Sequence, residues 1–187
     1  DAGIGKTQAC RQYYREHGTN CTYITVNPCI KSSKSVLELI GSKLNVSSGS
    51  VSRLWLEISS KLSDGMVIIV DEAQHLTRNA IDTLRSLCDC FDEKGQTLGI
   101  CFVGNETTVS RLGGKQKAEF AQIRNRTKNT RFYSVKQIKK SDIEMLFPDI
   151  REDAAAVEFL LRIAQSPQAI RGAVNLYSNA LDNGNVT

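Results

Sequence analysis

Histidine, tryptophan and proline are scarce in this 187-residue chain, which holds two, one and three of them. His17 and His75 are the only histidines, and the six cysteines (10, 21, 29, 88, 90 and 101) form one C-x-C at 88–90 with no second pair. No histidine stands near them at zinc spacing, so a zinc-type metal site is not expected. Cys88 in a helical pattern and Cys101 in an apolar run read as small core residues, and the whole set fits a reducing cytosol. No apolar run approaches the roughly 20 residues that cross a bilayer. No membrane partner is therefore expected, and the location is read as cytoplasmic. Aromatic residues are 6% of the chain, and few fall in the loops, which disfavours a base-stacking platform for single strands. Internal repeats and low-complexity tracts are absent.

What is present is ordinary for a globular domain: 41% hydrophobic and 24% charged residues, with a net charge of +4. That length suffices for one well-buried domain with a small appended lid. The mild basicity permits a nucleic-acid partner without demanding one. Positive charge concentrates in 111–140, where Glu119 is the only acid.

Strand-like and helix-like patterns alternate. A helix is expected over 8–18, a β-branched strand over 21–26, helices at 35–44 and 51–62, and a loop over 45–52 between them. "MVIIVD" (66–71) is a continuous apolar run, as in a parallel strand covered on both faces. An amphipathic helix follows at 79–91, then strands at 98–104 and 131–135. This order predicts a doubly wound parallel α/β sheet over residues 1–138. After it the pattern is helical: 141–147, opened by the capping box "SDIE", then 153–165 and 168–181, punctuated by Pro148 and Pro167. Residues 139–187 are expected to form a small helical lid.

Three short stretches carry chemistry. The chain opens "DAGIGKT", which supplies the end of the phosphate-loop pattern G-x-x-x-x-G-K-[ST]. Gly3, Ile4 and Gly5 let backbone N–H groups turn inward around phosphates. Lys6 reaches the β- and γ-phosphates, the Thr7 hydroxyl ligates Mg²⁺, and Gln8 continues the first turn of a helix whose positive end faces the anion. The pattern's first glycine would fall one residue before Asp1, so the chain reads as opening inside its own loop, with the first strand missing. As it stands it is expected to bind nucleotide poorly. Next, "MVIIVDEAQHL" ends a strand on Asp71-Glu72. Asp71 is placed to hold the magnesium hydration shell and Glu72 to orient and deprotonate water. Last, "ICFVGNETTV" ends a strand on Gly104-Asn105, where an amide could hydrogen-bond the γ-phosphate or the lytic water.

Phosphate loop, Asp-Glu strand end, strand-end Asn and helical lid together resemble the AAA+ ATPases over nearly the whole chain. The resemblance implies ATP and Mg²⁺ as cofactors, a P-loop NTPase fold, hydrolysis that is slow and stimulated by oligomerisation or DNA, and two arginines. "SPQAIRGAVNL" is similar to a sensor-2 helix start, with Arg171 reaching the γ-phosphate. "EFAQIRNRTKNTRF" resembles the segment that carries an arginine finger, with Arg126 the first choice and Arg124 the second. A finger acts on a neighbour's site, which implies a homo-oligomer. "VDEAQHL", "VGNETTV", "EFAQIRNR" and "QAIRGAVNL" resemble the transposition ATPases of the phage Mu B type. That subgroup implies an oligomer or filament on double-stranded DNA, without sequence preference, which directs a transposase or other recombination protein to a target. Cations in loops could track the phosphates: Lys31 and Lys34 after the second strand, and Arg111, Lys115 and Lys117 after the sensor strand. The alternatives are a replication initiator or helicase loader, which would usually add a winged-helix domain for which no room is seen after residue 181, and a nucleotide-sensing module of the STAND type with negligible hydrolysis.

Overall fold

The computed structural model describes residues 1–105, 107, 108 and 129–184. Two compact units divide the chain: one comprises Thr7–Lys128, the other Asp1–Lys6 together with Asn129–Thr187.

In the first unit, three parallel strands run in the order β1 (Cys21–Thr25), β2 (Met66–Asp71), β3 (Leu98–Phe102). The register sets Thr25 opposite Asp71 and Val70 opposite Phe102. Parallel strands need crossovers, and these are helical: α2 (Ser33–Lys43) and α3 (Val51–Lys61) link β1 to β2, and α4 (Arg78–Glu93) links β2 to β3. Side chains alternate across the sheet. Ile24, Ile68 and Val70 join Leu37, Ile40, Leu54, Ile58, Leu84 and Phe91 of those helices in one core, all at most 1% exposed. On α4 the buried residues are Ala80, Ile81, Leu84, Leu87 and Phe91, the spacing of one helical face. The opposite sheet face meets α1 (Lys6–Glu16), where the Tyr14 and Tyr23 rings lie 6.1 Å apart. Helix starts are capped as the sequence allows: Ser50 accepts from Arg53 N at 3.2 Å and Thr77 from Ala80 N at 3.3 Å. Thr77 also binds back to the Lys31 carbonyl through its own N (3.0 Å) and hydroxyl (3.1 Å), pinning the loop after β1 to the start of α4.

The other unit holds α5 (Lys140–Leu146), α6 (Ala154–Ala164) and α7 (Ala169–Asp182) around Ile143, Phe147, Val157, Leu160, Ala164 and Ala173. The ring pair Phe147–Tyr177 (4.8 Å) and the bond from Tyr177 Oη to Asp149 Oδ2 (2.9 Å) close one side of it.

Several expectations are corrected. Residues 131–135 form no strand; their backbone is instead held by residue 1. The Asp1 amino group donates to the Tyr133 carbonyl at 2.8 Å, and Val135 N donates to Asp1 Oδ2 at 2.9 Å. A strand exists only where a neighbour pairs with it, and Phe132 and Tyr133 are exposed here. "SDIE" is not the capping box of α5, because the helix begins one turn position earlier. Asp142 accepts from Lys139 N at 2.8 Å, and Ser141 lies inside the first turn. Cys101 is exposed on β3, which ends the sheet among the described residues; Cys88 does pack against the core. Lys34 lies in the first turn of α2 rather than in a loop.

Candidate nucleotide site

The opening turn uses the conformational freedom of its glycines. Gly3 (φ 75°) and Gly5 (φ 92°) are both left-handed, a region that costs other residues about 1–2 kcal/mol. α1 starts on Lys6, so its unpaired N–H groups follow directly from the turn. Lys6 Nζ donates to the Asp1 carbonyl, which folds the ammonium back over the loop. Gly3 is also closely approached: a Cβ would stand 3.1 Å from that of Ala169, which would have to give by a few tenths of an ångström, and 3.6 Å from that of Arg171. The reason is a backbone bond from Arg171 N to Gly3 O at 3.1 Å. The structure thus joins two residues 168 positions apart in sequence, the glycine turn and the first turn of α7 on which Arg171 is exposed. Ile4 and Lys6 are half-buried in the same unit.

In the larger unit, Thr7 is half-buried and Gln8 exposed at the start of α1. Asp71, the last residue of β2, is 2% exposed. Burying a carboxylate is costly unless its oxygens are bonded, and both are: Oδ1 accepts from Glu72 N and Oδ2 from Tyr23 Oη, each at 2.9 Å. Tyr23 Oη accepts in turn from Thr25 Oγ1 at 3.1 Å. Burial foremost pushes the Tyr23 phenol above its ordinary value; the Thr25 bond opposes this and Asp71 adds to it, so Tyr23 remains a donor at neutral pH. Beneath Asp71, burial and the nearby carboxylate push the Cys10 thiol up to about 11, which keeps it protonated. Glu72 itself is left-handed (φ 59°, ψ 33°), and its carboxylate receives the Gln74 side-chain amide. Asn105 is exposed after β3, its side-chain oxygen accepting from Thr107 N at 3.0 Å.

The donor set suits magnesium bound to a nucleotide. A hydroxyl and a carboxylate are hard oxygen ligands, and Mg²⁺ is commonly held by one or two protein oxygens with phosphates and water completing its shell. Among the described residues no cluster of three or more His, Cys, Asp or Glu could cage a metal unaided.

Residues 1–112 match the family described as "AAA domain". The chain belongs to the AAA domain family. Within it, this AAA chain is 30% identical over 177 residues to the "ATP-dependent target DNA activator B" of Escherichia phage Mu, a match covering 90% of the chain and 53% of that protein. It is 28% identical over 187 residues to the "Mu-like prophage FluMu DNA transposition protein B" of Haemophilus influenzae, covering 95% and 61%. The chain thus spans little more than half the length of these relatives. Among solved structures, the Thermotoga maritima RuvB Holliday junction branch migration motor aligns with 96% of the chain and 62% of its own length, at 18% identity and a TM-score of 0.45.

The DNA candidates divide. Lys31 is exposed where Thr77 fixes its backbone, whereas Lys34 stands 3.8 Å from Glu38 in an i,i+4 ion pair. Arg111, Lys115, Lys117, Arg124 and Arg126 lie outside the described residues. Two residues escaped the sequence reading. Tyr23 could have been found from the parallel register, which puts it two residues before the partner of Asp71 and on the same face. Gln74 stood within the quoted motif, and nothing in the sequence identified its partners.

Proposed function

We propose that the chain binds Mg²⁺-ATP and hydrolyses it, and that it acts as an ATP-dependent DNA-binding regulator of target selection in transposition. Gly3, Ile4, Gly5, Lys6, Thr7 and Gln8 form the phosphate-binding turn, Thr7 and Asp71 serve the metal, and Glu72 is the general base. Asn105 and Arg171 sense the γ-phosphate, and Arg126 (or Arg124) supplies charge to a neighbouring copy. When bound, the magnesium ion would neutralise phosphate charge. The chain's own task is to hold Asp71 fixed beside it and to orient Glu72 to accept a proton from water.

The observation that carries the reading is a conjunction. A chain similar over nine-tenths of its length to a protein named as an ATP-dependent target DNA activator also ends its central parallel strand on a buried, doubly bonded Asp71 followed by Glu72. The DNA arm draws on that likeness and on loop cations such as Lys31, with Arg111, Lys115 and Lys117 as further candidates. Such contacts to phosphates give affinity that falls steeply with salt.

The full-length protein imaged by electron microscopy with duplex DNA, with and without ATP, tests this. Oligomers or filaments that form on DNA only with ATP, and not with Lys6→Ala, are expected. DNA binding indifferent to nucleotide, or none at all, would overturn the DNA arm. ATP affinity unaltered in Lys6→Ala would overturn the phosphate-loop assignment.

A further inference from the structure

Gln74 links the two strand ends of the larger unit through its side chain. β2 stops at Asp71, Glu72 turns left-handed, and one short helical turn (Ala73–His75) brings residue 74 back over Glu72. There Gln74 Nε2 donates to Glu72 Oε2. At its other end, Gln74 Oε1 accepts long bonds from Asn105 N and from the buried Thr108 Oγ1, both at 3.4 Å. Backbone bonds brace the same junction: Ala73 N to Val103 O and Val103 N to Val70 O, each 2.9 Å.

The orientation of the carboxamide follows from its neighbours. A backbone N–H can only donate and an ionised carboxylate can only accept, so the NH₂ must face Glu72 and the oxygen must face Asn105. Leucine could bond to neither neighbour, and glutamate would set carboxylate against carboxylate. Gly104 supplies an independent sign that this space is reserved. A Cβ on residue 104 would stand 2.5 Å from Gln74 Oε1 and 2.1 Å from Thr108 Oγ1, so both side chains would have to shift to admit it. The strand end carries glycine where the carboxamide enters.

We propose that Gln74 is a positioning residue for ATP hydrolysis. It fixes the Glu72 carboxylate by a charge-assisted bond on Oε2, leaving Oε1 to receive the proton of water, and couples that carboxylate to the strand end that carries Asn105. The Asn105 side-chain oxygen is engaged by Thr107 N, so its NH₂ is the end that remains to donate toward phosphate. A shift at Asn105 is then transmitted through one side chain to the base. This inference rests on the ATPase reading above and names a residue that serves it.

The test compares full-length wild type, Gln74→Leu, Gln74→Glu and Gly104→Ala for kcat, KM, fluorescent-nucleotide affinity and melting temperature. Partners that orient the ligands of a metal site are typically worth 10–100-fold, and the same scale is expected for a partner that orients the base. kcat is expected to fall by about that factor in Gln74→Leu, while KM and nucleotide affinity stay within about twofold. Gly104→Ala, which displaces the carboxamide without removing it, should lower kcat in the same direction. In single-turnover assays the Glu72→Gln, Gln74→Leu double variant should be no slower than Glu72→Gln alone, because both act on one carboxylate. An active wild type with unchanged kcat in Gln74→Leu overturns this inference alone, as does a loss that multiplies undiminished in the Glu72→Gln background. A wild type that hydrolyses no ATP overturns both it and the ATPase reading.

Discussion

Glu72 occupies a conformation that β-strand residues avoid, and the cost of holding a non-glycine residue there is about 1–3 kcal/mol. The left-handed turn takes the chain out of the sheet immediately after Asp71, so adjacent residues serve different roles. Asp71 stays buried and doubly bonded, and Glu72 emerges half-buried. Glu72→Gln is expected to keep ATP affinity and to slow steady-state phosphate release by about 100-fold or more, the usual worth of a general base. Equal turnover would remove Glu72 from that role. Tyr23→Phe takes one donor from a buried carboxylate, which typically costs about 1–3 kcal/mol. Urea unfolding without nucleotide should show that loss as a lower midpoint with an unchanged slope. Asp71-Glu72 and Gly3-Ile4-Gly5-Lys6-Thr7 were legible in sequence because motif chemistry is local. Tyr23 and Gln74 were not, since their partners lie in other strands and loops.

At the scale of elements, β1, β2, β3 and the α-helices among the described residues follow the periodicity of the sequence to within about two residues, since burial of one face sets both patterns. The exceptions share a cause. Residues 131–135 have a strand-like composition, but composition cannot supply a neighbouring strand. "SDIE" has capping-box residues, but the helix began where Asp142 could reach Lys139 N. Thr77 works on two levels: its hydroxyl caps α4 within one element, and its two bonds to the Lys31 carbonyl tie that element to a distant loop. Thr77→Ala should therefore lower stability by more than the roughly 1 kcal/mol of an ordinary cap. It should also speed amide exchange in residues 27–32, which hydrogen-exchange mass spectrometry would show; exchange unchanged there would mean the cap acts on α4 alone.

For the whole molecule, the division into two units falls between Lys6 and Thr7, adjacent residues of the first turn of α1. The glycine turn is bonded by backbone to the helix that carries Arg171, while Thr7, Asp71 and Glu72 belong to the larger unit. If Arg126 completes a neighbour's site, Arg126→Ala alone should hydrolyse ATP poorly. Mixed with Lys6→Ala protein, which keeps its own arginine, it should regain part of its turnover, measured as phosphate release against mixing ratio. Normal hydrolysis by Arg126→Ala alone together with no gain on mixing would exclude that role.

The sequence by itself determined the α/β class, the helices after residue 139 and the residue types of the candidate nucleotide site, because periodicity and motif spacing are local properties of a chain. Tertiary structure alone decided which distant groups meet. It tied Arg171 to Gly3, set Tyr23 against Asp71, let Gln74 into the space that Gly104 leaves, and bound 133–135 to Asp1 rather than into the sheet. Each of these depends on strand register and loop closure, which bring together residues that no local pattern relates.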